Sequence, residues 1–322
     1  MTSSTTEAHA AFAATNAEFH NKQASEIDSK PYIRPYLHFL HESFSLPPTQ
    51  SLIFPAGEPR PLKVLDYCCG TGNFTISLLP FLPPGSTVHG VDVSDASIAV
   101  YNKKFAPDAE SKPNDKVAVT GYTADLSSGD GLGTGPVAVK EEEGGEFWGY
   151  DLVLIGMGTH HLPEPSLGVK NLAKRLKAGG KLFIMDNVPG GNWEVVRQQS
   201  DKAAKKKGGH GHGHGHHHGH HGDHGKDAEG EKGEILVSDT VSAHGFTEEE
   251  VRKMFGNAGL EDVKFTLTGM GFLFKPKNDG SDEWEGDFVN VTTGGEAGEG
   301  SADAKSEAEK PTECFFAAGI KA

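Results

Sequence analysis

The stretch Val64-Leu65-Asp66-Tyr67-Cys68-Cys69-Gly70-Thr71-Gly72-Asn73-Phe74 limits what this chain can fold into more than any other. An apolar run ends in an acid, a turn of small residues follows, and a helical pattern starts at once. A parallel strand delivers its chain in this way to the N-terminus of a helix, where backbone N–H groups without helical partners can face a ligand. Gly70 and Gly72 permit close backbone approach and positive φ. A dinucleotide fingerprint reads G-x-G-x-x-G, but Thr75 stands in the third glycine's place, so the pattern here is D-x-x-x-G-x-G.

The rest of the chain continues the alternation that a mostly parallel sheet requires. Strands are expected over 62–67, 87–91 (ending in Asp92), 116–123 (ending near Asp125) and 150–155, whose unbroken apolar run suits burial on both faces. Helices are expected over 72–82, after a Ser94 cap, and over 167–176, with Ala178-Gly179-Gly180 closing the last before a fifth strand at 181–185. Thr247 and Glu250 form a capping box for a helix over 247–258, and 260–268 and 315–320 read as the final strands. Residues 1–15 are expected to be disordered, and 16–61 to form helices and a proline-marked linker. Two low-complexity inserts interrupt the domain over 62–322. Residues 201–234 hold nine histidines between His210 and His224, and 276–312 are rich in Gly, Asp and Glu.

Composition excludes several function classes. A formal charge of −15 with no basic stripe argues against nucleic acid as a partner. No apolar run is long enough for a membrane span, and the N-terminal residues lack the basic and apolar regions of a secretory signal. Three cysteines, two of them adjacent, make no disulfide framework and point to a reducing compartment, cytoplasmic or nuclear. The alternating His-Gly tract offers imidazoles to metals but no fixed geometry, so no metal site is expected.

The stretch around Asp66 resembles motif I of class I S-adenosylmethionine (SAM)-dependent methyltransferases, V-L-D-x-G-C-G-T-G, with Cys68 where the first glycine normally stands. Five further segments resemble the same family in order. Gly90-Val91-Asp92-Val93-Ser94 is similar to the ribose-binding strand end, and a carboxylate can accept both hydroxyls of a diol. Thr123-Ala124-Asp125-Leu126 resembles the adenine-binding motif. Asp151 to Pro165, with Gly156-Met157-Gly158-Thr159-His160-His161-Leu162, resembles the fourth motif, F-D-x-V then H-H-L-x-x-P, whose crossing leaves room for small residues beside cofactor and substrate. Leu176 to Ile184 resembles the L-K-P-G-G-x-L entry to strand five, and Phe246 to Leu260 the F-T-x-E-E-L … A-G-F segment of the type-11 and ubiquinone/menaquinone-biosynthesis-like group. Phe19 to Asp28 is similar to the F-x-x-x-A-x-x-Y-D lid segment, with Ile27 in place of Tyr.

The resemblance implies an α/β, doubly wound, Rossmann-like sheet of seven mostly parallel strands, the last antiparallel, with an N-terminal helical lid. It implies SAM as cofactor, held by Asp66, Cys68, Gly70, Thr71, Gly72, Asn73, Asp92, Val93, Asp125, Leu126, Gly156 and Met157. His160 or His161 is the candidate base, since imidazole titrates near neutrality. The expected reaction is methyl transfer to a small-molecule acceptor. Two alternatives stay open: a protein methyltransferase or regulatory factor meeting a partner chain through the lid or inserts, and a SAM-binding subunit without catalysis.

Overall fold

Each expected apolar run becomes a strand because it has two faces to bury, and the polar residues between them mark where the chain turns. In a computed structural model of the chain, the described residues are 3–57, 59–107, 109, 115–129, 145–192, 235, 237–276, 284–291 and 310–322. The His-rich segment 201–234 therefore lies outside the described residues. The strands are β1 (Lys63–Tyr67), β2 (Thr87–Asp92), β3 (Ala118–Thr123), β4 (Tyr150–Gly156), β5 (Leu176–Asn187), β6 (Leu260–Pro276), β7 (Trp284–Asn290) and β8 (Thr312–Lys321). The helices are α1 (Ser3–Gln23), α2 (Ile33–Ser45), α3 (Pro47–Ile53), α4 (Asn73–Leu78), α5 (Asp95–Lys104), α6 (Pro165–Lys174) and α7 (Glu248–Asn257).

The strands form one sheet in the order β3-β2-β1-β4-β5-β8-β6-β7. Pairings β2–β3, β1–β2, β1–β4 and β4–β5 are parallel, so β1 to β5 end on the same side of the sheet. β8 runs antiparallel to both β5 and β6, as expected of the last strand. The sheet has eight strands where seven were expected, and the extra one is β7. It arises inside the segment 276–312 read as a flexible acidic insert, and pairs antiparallel with β6 from Met270–Asn290 to Pro276–Trp284. The physical reason is local: Phe288 is buried against Tyr36 and Phe272, which a uniformly polar insert would not allow.

Two cores lie on the two faces of the sheet. One joins Val64, Leu152, Leu154 and Phe183 to α2, α4 and α5 through Leu40, Phe44, Phe74, Leu78 and Tyr101. The other joins Leu65, Val153, Ile155 and Leu182 to α6 and α7 through Val169, Leu172, Val251 and Phe255. In α2, Ile33, Tyr36, Leu40 and Phe44 recur at helical spacing and are the buried face. Helix α4 is shorter than expected because Pro80 lacks an N–H; the chain tightens into a 3₁₀ turn over Leu79–Phe81. Likewise the sheet reclaims 176–180, where a helix end and turn were expected. Gly179 takes φ 73°, and a side chain at Gly180 would approach the Tyr150 carbonyl to 2.8 Å.

The largest departure is at the N-terminus. Helix α1 runs from Ser3 through the segment expected to be disordered. Its alanines at 8, 10, 11, 13 and 14 favour helix in a way that composition alone does not reveal. Docking then holds it: Asn21 Oδ1 accepts from Ser94 Oγ at 2.6 Å and Ala96 N–H at 3.1 Å.

The capping box is present as expected. Thr247 Oγ1 accepts from Glu250 N–H at 3.3 Å, and Glu250 Oε2 accepts from Thr247 N–H at 2.8 Å. Thr247→Ala is expected to lower stability by about 1 kcal/mol, read as a shift in urea midpoint at constant m-value.

Candidate active site

The turn after β1 is built from three positive-φ residues. Cys68, Gly70 and Gly72 sit at φ 58°, 51° and 90°. Glycine takes that region freely, but for Cys68 it costs about 1 kcal/mol or more. The structure compensates with contacts. Asp92 Oδ2 accepts Gly70 N–H at 2.9 Å, and its Oδ1 accepts Ser94 N–H at 2.9 Å. One carboxylate thus ties the β1 turn to the β2 turn, in charge-assisted bonds to backbone donors. Across the turn, Met157 is also left-handed, at φ 55°, where the chain leaves β4.

Gly156 and Gly158 are required by protein packing rather than by ligand space alone. A Cβ at Gly156 would lie 2.2 Å from Phe74 Cδ2, and one at Gly158 would lie 2.4 Å from Cys68 Cβ. Cys68 Sγ faces the Gly158 carbonyl at 3.8 Å.

Asp66 ends β1 fully buried. Thr75 Oγ1 donates to its Oδ2 at 2.5 Å, and Thr75 in turn lies 3.0 Å from the Tyr101 hydroxyl. Asp66 Oδ1 is buried and has no hydrogen-bond partner among the described residues. Burial, with the Asp92 charge adding to it, pushes the Asp66 carboxyl up to about 7 against the bonds from Thr75. Thr75, the residue that breaks the dinucleotide fingerprint, is therefore part of the site. Its hydroxyl supplies a hydrogen bond to Asp66 that a third glycine could not.

Asp125 Oδ1 accepts from Tyr67 OH at 2.9 Å, Ser127 N–H at 2.8 Å and Ser127 Oγ at 2.8 Å. The Leu126 N–H, a candidate donor to a ligand, instead donates to Tyr67 OH at 3.2 Å. Val93 sits between Asp92 and the Ser94 cap, whose side chain accepts Ser97 N–H at 3.0 Å.

The N-terminal segment closes over this turn. Asp28 accepts from Thr71 Oγ1 at 2.6 Å and Asn73 Nδ2 at 3.1 Å, and pairs with Lys104 at 2.8 Å. Burial opposes the Asp28 charge, but the bonds from Lys104, Thr71 and Asn73 outweigh it and hold the carboxyl below its ordinary value. Thr71 and Asn73 thus bind the lid. His20 of α1 meets His161 edge-on at 5.0 Å, and His160 and His161 rings lie 4.2 Å apart. Burial lowers the His20 pKa, Asp92 opposes that, and His160 adds to it, so His20 bridges the β2 acid and the β4 histidines.

His160 Nδ1 lies 2.7 Å from Asp186 Oδ1, and its N–H donates to Asp186 Oδ2 at 3.2 Å. Asp186 is fully buried near the end of β5 and escaped sequence reasoning, although an acid just past a strand is the signal that identified Asp66, Asp92 and Asp125. His161 Nδ1 lies 2.7 Å from the Thr240 carbonyl, which can only accept, so that nitrogen carries the proton. Burial and then the neighbouring His160 push the His161 pKa well below its ordinary value.

The four strand-end acids converge. Burial raises the Cys68 thiol pKa well above normal, and Asp92, Asp125, Asp66 and Asp186 all add to it, in that order. Cys68, partly exposed on the turn, is thereby held in its thiol form. Among the described residues, no group of three or more His, Cys, Asp or Glu side chains could hold a metal ion. No helix among them is long and apolar enough to cross a membrane.

A family model described as a methyltransferase domain matches residues 36–264. Among curated relatives, an uncharacterized methyltransferase of Schizosaccharomyces pombe is 30% identical over 145 residues, 45% of this chain and 45% of its own. A demethylmenaquinone methyltransferase of Staphylococcus aureus is 29% identical over 130 residues, 40% of this chain and 45% of its own. The chain thus spans about half the length of the curated relatives it matches. A solved structure of a SAM-dependent methyltransferase from Methanosarcina mazei is similar at 16% identity and a TM-score of 0.43, covering 86% of this chain and 97% of that one.

Two outcomes test this geometry. Gly158→Ala should cost about 1–3 kcal/mol by overpacking, and adding Cys68→Gly should restore most of it, because the Cys68 Cβ that the new methyl meets is gone. Chemical denaturation of the single and double variants measures the coupling. The second outcome concerns Asp66, whose carboxyl titrates near 7 when folded and near 3.8 when unfolded. Between those values the folded state binds more protons, so this group's contribution falls as pH rises and is constant above and below. Asp66→Asn should therefore gain stability relative to the parent chain as pH rises through that window, in parallel urea melts.

Proposed function

The chain belongs to the methyltransferase-domain family, and from that premise we propose that it transfers the methyl group of SAM to a small-molecule acceptor. The observation that carries this reading is the glycine turn after β1 together with the acids Asp66, Asp92, Asp125 and Asp186, each at or just past the end of one of the strands β1, β2, β3 and β5, which finish on the same side of the sheet.

The residues present fit SAM. Asp66 Oδ1, buried without a partner, suits an ammonium group, which would also draw the carboxyl into its charged form. The turn Cys68–Asn73 follows directly, and Gly70 leaves it uncovered, with nothing within 4 Å of where a side chain would stand, whereas Gly72 packs against Phe105 and Tyr101. Asp92 uses one lone pair of each oxygen on the turn, and the remaining pairs can take the two ribose hydroxyls. Asp125 Oδ2 remains for an adenine amino group, since the bonds to Tyr67 and Ser127 all fall on Oδ1. Leu126 is fully buried with its N–H on Tyr67 OH, so it backs Asp125 rather than facing the ligand. Gly156 and Met157 form the opposite wall.

When bound, SAM supplies an electrophilic methyl on a good leaving group, so the protein's work is alignment and exclusion of water. Asp28 and His20 contribute the exclusion, clamping α1 and the following turn over Thr71, Asn73 and His161. A site closed in this way suits a small acceptor better than a protein side chain. The Staphylococcus aureus relative is named for such an acceptor, demethylmenaquinone.

Calorimetry with S-adenosylhomocysteine tests the assignment. Affinity should rise with pH through about 7 as Asp66 ionises, and Asp66→Asn should be weaker and pH-independent across that range. Asp92→Ala should lose at least about tenfold, the scale of a hydrogen bond to a charged group. Unchanged affinity in Asp92→Ala would remove it from the ribose site.

A further inference from the structure

We infer that His160 and Asp186 form a proton-accepting dyad, with His160 Nε2 as the base and Asp186 as its positioning residue, and that the acceptor presents a weakly acidic O–H. This rests on the methyltransferase reading of the site. Two histidines stand at 160 and 161, and neither motif nor spacing separates them. Their surroundings do.

Asp186 accepts from two backbone donors, His160 N–H at 3.2 Å and Asn187 N–H at 2.8 Å, and its Oδ1 lies 2.7 Å from His160 Nδ1. A carboxylate so engaged, with no exposed surface, is an acceptor only. The Nδ1 of His160 must then carry the proton, which leaves the lone pair on Nε2. That nitrogen makes no hydrogen bond to any described residue, and 8% of the ring's side-chain surface stays open. The backbone is fixed as well, because the His160 N–H and ring grip the same carboxylate. His160 is therefore a base held in one tautomer and one orientation, the arrangement in which a buried acid makes an imidazole effective.

His161 cannot take that role. Its Nδ1–H is spent on the Thr240 carbonyl, no carboxylate among the described residues is bonded to it, and its ring, although less buried than that of His160, stands between the rings of His20 and His160. An imidazolium there would have two imidazoles and no anion beside it. His161 is instead the spacer that lets the lid's His20 close against the site.

A dyad of this kind also restricts the acceptor. A thiol ionises near neutrality and an aromatic amine is already neutral with its lone pair free, so neither gains much from a base in the transfer step. A phenol or enol is different, being protonated at pH 7 yet a strong nucleophile once ionised. In the balanced step, the acceptor's O–H proton moves to Nε2 and its electron pair forms the new bond to methyl carbon, at oxygen or at a conjugated carbon. The sulfur–methyl bond breaks with its pair left on sulfur, and the imidazolium is paired with Asp186.

The test uses the full chain labelled with ¹⁵N-histidine and saturated with S-adenosylhomocysteine, with His160 assigned by its loss in His160→Gln. His160 should carry its ring proton on Nδ1, and Asp186→Asn should abolish that pattern while the His161 ring stays unchanged. A proton on Nε2, or a pattern that survives Asp186→Asn, overturns the dyad. Transfer from methyl-labelled SAM is then compared on catechol and thiophenol. On catechol, His160→Gln should lose about 100-fold or more, the usual scale of general-base catalysis. Asp186→Asn should lose kcat at least about tenfold with KM for SAM within about twofold, as expected for an orienting acid. His160→Gln keeps the buried carboxylate and serves as the second variant if Asp186→Asn does not fold. Transfer to thiophenol alone, or to neither probe by a chain that binds S-adenosylhomocysteine, overturns the O–H acceptor. Failure of the parent chain to bind S-adenosylhomocysteine would instead remove the reading on which the inference rests.

Discussion

The hydrogen bond from Gly70 N–H to Asp92 is the contact on which the site depends. It lies between two strand ends that are neighbours in the sheet but 22 residues apart in sequence, and it stabilises a turn in which three residues hold positive φ. Such a bond to a carboxylate contributes about 1.5–3 kcal/mol, comparable to the strain of a non-glycine residue at position 68. With Asp92 in place the turn is held from both sides, since Cys69 N–H also donates to the Val91 carbonyl at 3.2 Å and Gly72 N–H to the Cys69 carbonyl at 2.9 Å. Without it, Cys68 would favour another conformation and the path of the chain into α4 would change.

Around that bond the rest is layered by packing. Phe74, at the start of α4, requires Gly156 to be bare, and Cys68 requires the same of Gly158. Each pair joins the β1 turn to the β4 crossing, so the two walls of the site are shaped by one another. Burial then acts on what the walls enclose. Asp66 loses water and its carboxyl rises toward neutrality, whereas Asp28, at the partly open lid, keeps its charge through Lys104. Asp28 and the C-terminal end of α1 are joined to the site by polar contacts to Thr71, Asn73 and the N-terminus of α5, whereas α2 is anchored in the core through Leu40 and Phe44.

Much of the site was legible before any coordinates. Asp66, Asp92 and Asp125 each end an apolar run, and a run that ends in an acid is visible because a buried strand tolerates a charge only where it emerges. Asp186 obeys the same rule and was still missed, since β5 is interrupted at its start by Gly179-Gly180 and the motif attached to that entry, not to the exit. Thr71 and Asn73 were read as ligand-facing, but their side chains answer to Asp28, 43 and 45 residues earlier. The extra strand β7 was masked by the glycines and acids around it, because Phe288 carries little weight in a composition dominated by polar residues.

What the sequence determined by itself is the alternation of strands and helices, the polarity of the parallel sheet and the glycine turn, because these follow from local patterns of burial and backbone freedom. What only the tertiary structure decided is which of two adjacent histidines is held by an acid, that Asp66 is shut away from water, and that the N-terminal helix folds back onto α5. The physical reason is common to all three. Tautomer, protonation and docking depend on what stands across a gap of a few ångströms, and residues 26 and 73 positions apart become neighbours only when the sheet has closed.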